Sequence, residues 1–140
     1  MISRATLFAV SLFVPALLIA APATAQVWDT ASLSDESTLE FLTDCPDEGP
    51  HWSPVWLVEV DGSLWVRLGK KAADRFDCSA TRPYAAIRIA GQEYPRVEMR
   101  NEPELTEDVD RAMRAKYRTD FLIGWFATHR YIMRLVPAES

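Results

Sequence analysis

The sequence predicts an α+β domain whose sheet is mainly antiparallel and curls into a small barrel, flanked by two or three helices. Three observations predict it. Short alternating apolar segments recur between turn signals, Asp61-Gly62 and Gly91 being the clearest, and such segments read as hairpin strands. Two stretches, near 69–79 and 103–118, instead carry apolar residues at helical spacing. The 140 residues amount to one domain, and a chain with 49% hydrophobic and 25% charged residues is globular rather than disordered. Strands joined by tight turns pair antiparallel, and closing the sheet removes its exposed edges.

Residues 1–25 read as a secretory signal peptide. Arg4 supplies a positive start, residues 7–20 an apolar run, and Ala23-Thr24-Ala25 a small-residue cleavage site with Gln26 after it. Pro15 interrupts the apolar run, which argues against a permanent membrane helix, the alternative for so long an uncharged stretch. The expectation is a periplasmic or secreted protein, free of the membrane after cleavage. Loss of Arg4 takes the net charge from −5 to −6. An acidic chain argues against nucleic acid as a partner, because phosphate binding needs a basic face.

Two cysteines, Cys45 and Cys78, stand 33 residues apart. In an oxidising compartment an even pair predicts one disulfide. The alternatives are two free buried cysteines, or a metal site drawing on Cys45, His51, Cys78 and His129, whose spacing matches no zinc pattern.

Residues 26–52 read as a lead-in with a short helix, and 53–140 as the barrel domain. The spacing predicts a helix over 34–43, since Ser37-Thr38-Leu39-Glu40 fits a capping box. A Pro, Gly and Asp-rich loop follows over 44–50. Residues 55–68 form the clearest hairpin. Parity favours a three-residue loop, Val60-Asp61-Gly62, which would put Trp56, Val58, Leu64, Val66 and Leu68 on one buried face. Ala72, Ala73 and Phe76 mark the buried stripe of a helix over 69–79. Ile87 and Ile89 alternate with Arg88 in a strand over 85–90. A turn at Gly91 leads to a strand over 93–100 with Val97 and Met99 inward, where Pro95 implies an edge or a bulge. Pro103 opens the best helix, with acidic residues in its first turn, basic ones in its last, and the stripe Leu105, Val109, Ala112, Met113 and Tyr117. Residues 121–126 form a loop or short strand, and 131–136 a final strand closed by Pro137.

Catalytic signatures are absent: no G-x-S-x-G, H-E-x-x-H, P-loop or G-x-G-x-x-G pattern occurs. His51 and His129 have no nucleophile beside them in sequence. Asp44, Asp47 and Glu48 read as a solvated loop, since their spacing is not that of an EF-hand. Trp52, Trp56, Trp65 and Trp125 read first as core, with an aromatic pocket as the alternative.

A series of pieces in order then carries a resemblance. They are Pro54-Val55-Trp56-Leu57-Val58, Leu64-Trp65-Val66-Arg67, Gly69-Lys70-Lys71, Ala86-Ile87-Arg88-Ile89-Ala90-Gly91, Ala115-Lys116-Tyr117 and Arg134-Leu135-Val136-Pro137. Together they resemble the flavin-binding split β-barrels of the pyridoxamine-phosphate-oxidase-like superfamily, nearest to a small exported branch. The resemblance implies FMN or a deazaflavin as cofactor, and a homodimer. It implies a phosphate site at the end of the second barrel strand and the start of the next helix, made by Arg67, Gly69, Lys70 and Lys71 with Arg88. Helix N-termini offer free N–H groups to such an anion, and neighbouring cations strengthen the site. However, 68–71 carries no hydroxyl side chain, and a chain exported unfolded brings no non-covalent cofactor with it. The expected function is therefore an exported module that binds a small anionic ligand or serves a structural role. The alternative is a flavin- or deazaflavin-dependent oxidoreductase.

Overall fold

The computed structural model describes residues 28–117 and 129–138. The expected signal peptide, the expected Gln26 terminus, the 121–126 segment and Trp125 lie outside them. Six strands, β1 Thr38–Cys45, β2 Gly49–Val60, β3 Ser63–Gly69, β4 Tyr84–Ile89, β5 Gln92–Asn101 and β6 His129–Pro137, close an antiparallel barrel in the order β1-β2-β3-β6-β5-β4. Among the described residues three helices accompany them: α1 Thr30–Leu33, α2 Lys70–Cys78, and α3 Thr106–Lys116, the last entered through a 3-10 turn at Pro103–Leu105.

Each strand turns one side inward. Phe41, Leu57, Val66, Ile87, Val97 and Met133 fill the barrel interior, all at most 1% exposed. Ala73 and Phe76 of α2 join this core. The amphipathic stripe of α3 lies outside, where Val109 and Met113 bury Val58, Trp65 and Ile132 in a second core. Both helical stripes and the inward alternation of β4 and β5 match the sequence reading. Pro95 falls at a bulge, where Pro95 and Arg96 of β5 oppose Ala86 alone, so the proline need not donate to the ladder.

Two expectations are corrected. Residues 34–43 are not a helix: β1 begins at Thr38, with Leu39, Phe41, Thr43 and Cys45 buried in alternation. That period of two outweighs the capping-box pattern, because these side chains complete the barrel interior. The β2–β3 hairpin has a two-residue turn, with Val60 paired to Ser63 and Leu57 to Val66. Asp61 and Gly62 both take positive φ, 50° and 79°, as a type I′ turn requires. Leu57, Leu64, Val66 and Leu68 therefore face the interior, while Trp56 and Val58 face outward. The parity argument assumed one buried face, but α3 buries the other as well.

Cys45 and Cys78 form a disulfide, with Cα atoms 5.2 Å apart. It ties the end of β1 to the end of α2 and disposes of the metal alternative. Beside it the Arg75 guanidinium makes a forked contact with Glu48 at 3.0–3.3 Å, and the Asp44 amide donates to Ser79 Oγ at 3.0 Å.

Candidate functional site

The outward faces of β2 and β3 are not wholly covered by α3. Near the C-terminal end of that helix a cavity of about 350 Å³ opens. Its walls are largely apolar: Pro54 and Trp56 from β2 and Met113 from α3. Two nitrogen-bearing side chains, Arg67 and His129, and the Thr38 hydroxyl complete it.

The register explains how Arg67 and His129 meet. Odd-numbered residues of β3 point outward, so Arg67 stands on the cavity side. In β6 the pairing skips Arg130, so that Leu68 faces Tyr131 but Gly69 faces His129. Cross-strand partners share a face of the sheet, and this bulge turns His129 to the side of Arg67. Arg130 is released toward α2, where it bonds the Asp74 carboxylate. The Arg67 side chain is only 7% exposed and lies 3.0 Å from the Asp110 carboxylate of α3. A cation so little hydrated acts more strongly on a nearby anion than one in water.

The rim is held by an unusual set of contacts. Tyr117 stacks on Trp56, and its hydroxyl lies 2.6 Å from the carbonyl oxygens of both Ser37 and Leu57. The Lys116 ammonium donates to three carbonyls, those of Ser34, Glu36 and Leu57. Burial pushes the Lys116 ammonium below its ordinary pKa and the Tyr117 hydroxyl above its own.

The expected phosphate residues are brought together only in part. Arg67 lines the cavity, and Gly69 stands across the ladder from His129. Lys70 and Lys71 begin α2 and are exposed; Lys70 Nζ is 2.8 Å from Asp74 of its own helix. Arg88 stands three strands away on β4, stacked over the Trp52 ring at 3.7 Å and 3.5 Å from Glu93. Sequence reasoning put Trp56 on a buried hairpin face with an aromatic pocket as the alternative, named His129 without placing it, and took Met113 for core alone. Among the described residues no cluster of His, Cys, Asp and Glu could hold a metal ion, and no helix is long and apolar enough to cross a membrane.

Comparison with known proteins adds the family and the fold. No curated protein matches the sequence. Two solved structures are similar. One is HutZ, the heme storage protein from Vibrio cholerae, 18% identical, with a TM-score of 0.52 over 76% of this chain and 84% of that one. The other is the conserved hypothetical protein Rv2991 from Mycobacterium tuberculosis, 17% identical, with a TM-score of 0.53 over 84% of each chain. These likenesses show a shared fold, here the closed six-stranded antiparallel barrel. Residues 29–129 match the model of a bacterial family described as "uncharacterized protein conserved in bacteria" (DUF2255), and the chain belongs to that family.

Proposed function

We propose that this protein is an exported split-barrel module that binds a flat, anionic small molecule reversibly in the cavity beside Arg67. The observation that carries the reading is the Arg67 guanidinium, 7% exposed, on the wall of an otherwise apolar and aromatic cavity. Trp56 and Met113 would flank a ring system, a face well suited to stacking. Arg67 and the first-turn N–H groups of α2 would meet the negative group. Gly69 lets a ligand approach the backbone there, Lys71 adds positive charge, and Arg88 belongs to another face.

The same groups suit an exchangeable anion better than a permanently held flavin. Lys70 is engaged by Asp74, Arg67 by Asp110, and no hydroxyl side chain occurs in 68–71. The start of α2 does not fit as a dedicated flavin-phosphate cradle. The likeness in fold to a heme storage protein makes hemin a second natural probe beside FMN. A homodimer, implied by the split-barrel resemblance, is part of the proposal, and light scattering on the purified protein tests it.

Titration with FMN and with hemin, followed by flavin fluorescence and by heme absorbance, is the direct experiment. Dissociable binding of at least one is expected. The Arg67→Gln, Asp110→Asn double variant should weaken it at least about tenfold, the usual scale for losing a charge-assisted contact. The double change removes both charges together, so no half-buried carboxylate is left unpaired. Absence of binding by both probes, or equal affinity in the variant, overturns the reading. Flavin retained through purification would favour the oxidoreductase instead. Export is tested by the intact mass of the mature protein, expected to begin at Gln26; a mass that keeps residues 1–25 overturns it.

A further inference from the structure

A second cavity, of about 440 Å³, lies on a different part of the barrel wall, over the outward faces of β1, β4 and β5. Leu42, Ala86 and Pro50 contribute apolar surface, and Tyr84 stands at one end. Two opposite charges flank it, Asp44 on β1 and Arg96 on β5. We propose that this cavity is a binding site for a free α-amino acid with an apolar side chain.

The argument starts from how the two charged residues are held. The Asp44 backbone is fixed twice, its N–H donating to Ser79 Oγ at 3.0 Å and its carbonyl accepting from the Ala80 N–H at 2.9 Å. Arg96 sits at the β5 bulge, and its carbonyl accepts from the Ala138 N–H at 3.1 Å. Backbones are thus anchored while the charged ends are not spent. Among the described residues the Asp44 carboxylate has no ion-pair partner, and the Arg96 guanidinium has no ion pair or hydrogen bond and stacks on the Tyr84 ring, 4.1 Å from its centroid. The ring orients the guanidinium without neutralising it.

The pair of opposite charges selects the ligand. Asp44 and Arg96 stand two strands apart, β1 to β4 to β5, and are offset along them, Arg96 opposing Ala86 at the β5 bulge and Asp44 lying beyond the pair Phe41 and Ile87 that joins β1 to β4. Among the described residues no ion pair joins them, and a compact zwitterion supplies a partner for each. Its ammonium would meet Asp44 and its carboxylate the Arg96 fork, which matches carboxylates bidentately. The side chain would then lie on Leu42, Ala86 and Pro50. The site does not depend on the Arg67 cavity, with which it shares no residue.

Calorimetric titration of the protein with L-leucine, N-acetyl-L-leucine and L-leucinamide tests this. Leucine should bind, and each derivative should bind at least about tenfold more weakly, because each loses one charge-assisted contact. Asp44→Asn and Arg96→Gln should each weaken leucine to a similar degree. The losses should also pair: Arg96→Gln no longer distinguishes leucine from leucinamide, and Asp44→Asn no longer distinguishes leucine from its N-acetyl form. Should either variant fold poorly, the three ligands on the unaltered protein still decide. No heat with leucine at millimolar concentration overturns the proposal, and so does equal affinity across the three ligands.

Discussion

Tyr117 stacks on Trp56 with ring centroids 5.0 Å apart and planes 19° from parallel. The ring that ends α3 therefore fixes the ring that walls the Arg67 cavity. Lys116 works beside it, joining 34–36 to the end of β2 through three carbonyls. Lys116→Met should lower stability by about 1.5–3 kcal/mol, the scale of hydrogen bonds made by a charged donor. Tyr117→Phe keeps the stack and loses only the hydroxyl, and should cost about 0.5–1.5 kcal/mol. Urea unfolding measures both. A change in the near-ultraviolet circular dichroism of Trp56 is expected for Lys116→Met and not for Tyr117→Phe.

This clamp could not be read in the sequence, and the reason is instructive. Lys116 reads as one of the basic residues that favour a helix C-terminus, a local effect. Its actual partners lie about 60 to 80 residues away, and nothing local points to them. Elements with one buried face were legible: Ile87 and Ile89, Val97 and Met99, and the α3 stripe from Leu105 to Tyr117 all pack as their spacing implies. The site was legible in part. Arg67 was named from the order of strand and helix, whereas the approach of His129 depends on a bulge that leaves no mark in composition.

The disulfide should account for much of the domain's resistance to unfolding. Closing a loop of 33 residues stabilises by about 3–4 kcal/mol in the chain-entropy model. The Cys45→Ala, Cys78→Ala double variant should lose about that much in a denaturant titration. Thiol titration of the denatured, unreduced protein should detect no free thiol; two thiols would contradict the bridge.

Acid should weaken the ion pairs that tie α2 to the turn after β1 and to β6. The Arg75 contact holds Glu48 below the ordinary carboxylate range, and Lys70 with Arg130 does the same for Asp74. In both cases the folded protein gives up its proton more readily than the unfolded chain. The contribution is therefore present above the ordinary carboxylate values near about 4. It is lost as pH falls through the lower folded values, where the unfolded chain binds more protons. Because these groups are exposed, the effect should be small and should shrink in added salt. Melting curves from neutral pH down to about 3, at low and high salt, measure it; the Glu48→Gln variant should show the weaker pH dependence.

The hairpin makes the sharpest test of the barrel. Val58 and Val66 sit on opposite sides of the β2–β3 sheet, 4% and 0% exposed, the first under α3 and the second inside the barrel. A sheet with one solvated face would tolerate a charge at one of the two positions. Here neither position offers water, so Val58→Asp and Val66→Asp should each cost several kcal/mol, the penalty for burying an unpaired carboxylate. The two should differ in how they fail. Val66→Asp strikes the interior that all six strands share and should unfold the domain as a whole. Val58→Asp strikes the seam with α3, and should first release that helix and enlarge the cavity beside Arg67. Hydrogen exchange on the variants separates the outcomes: loss of protection confined to α3 is expected for Val58→Asp and general loss for Val66→Asp. Full protection of α3 in the Val58→Asp protein would mean that the helix does not depend on this face of the sheet.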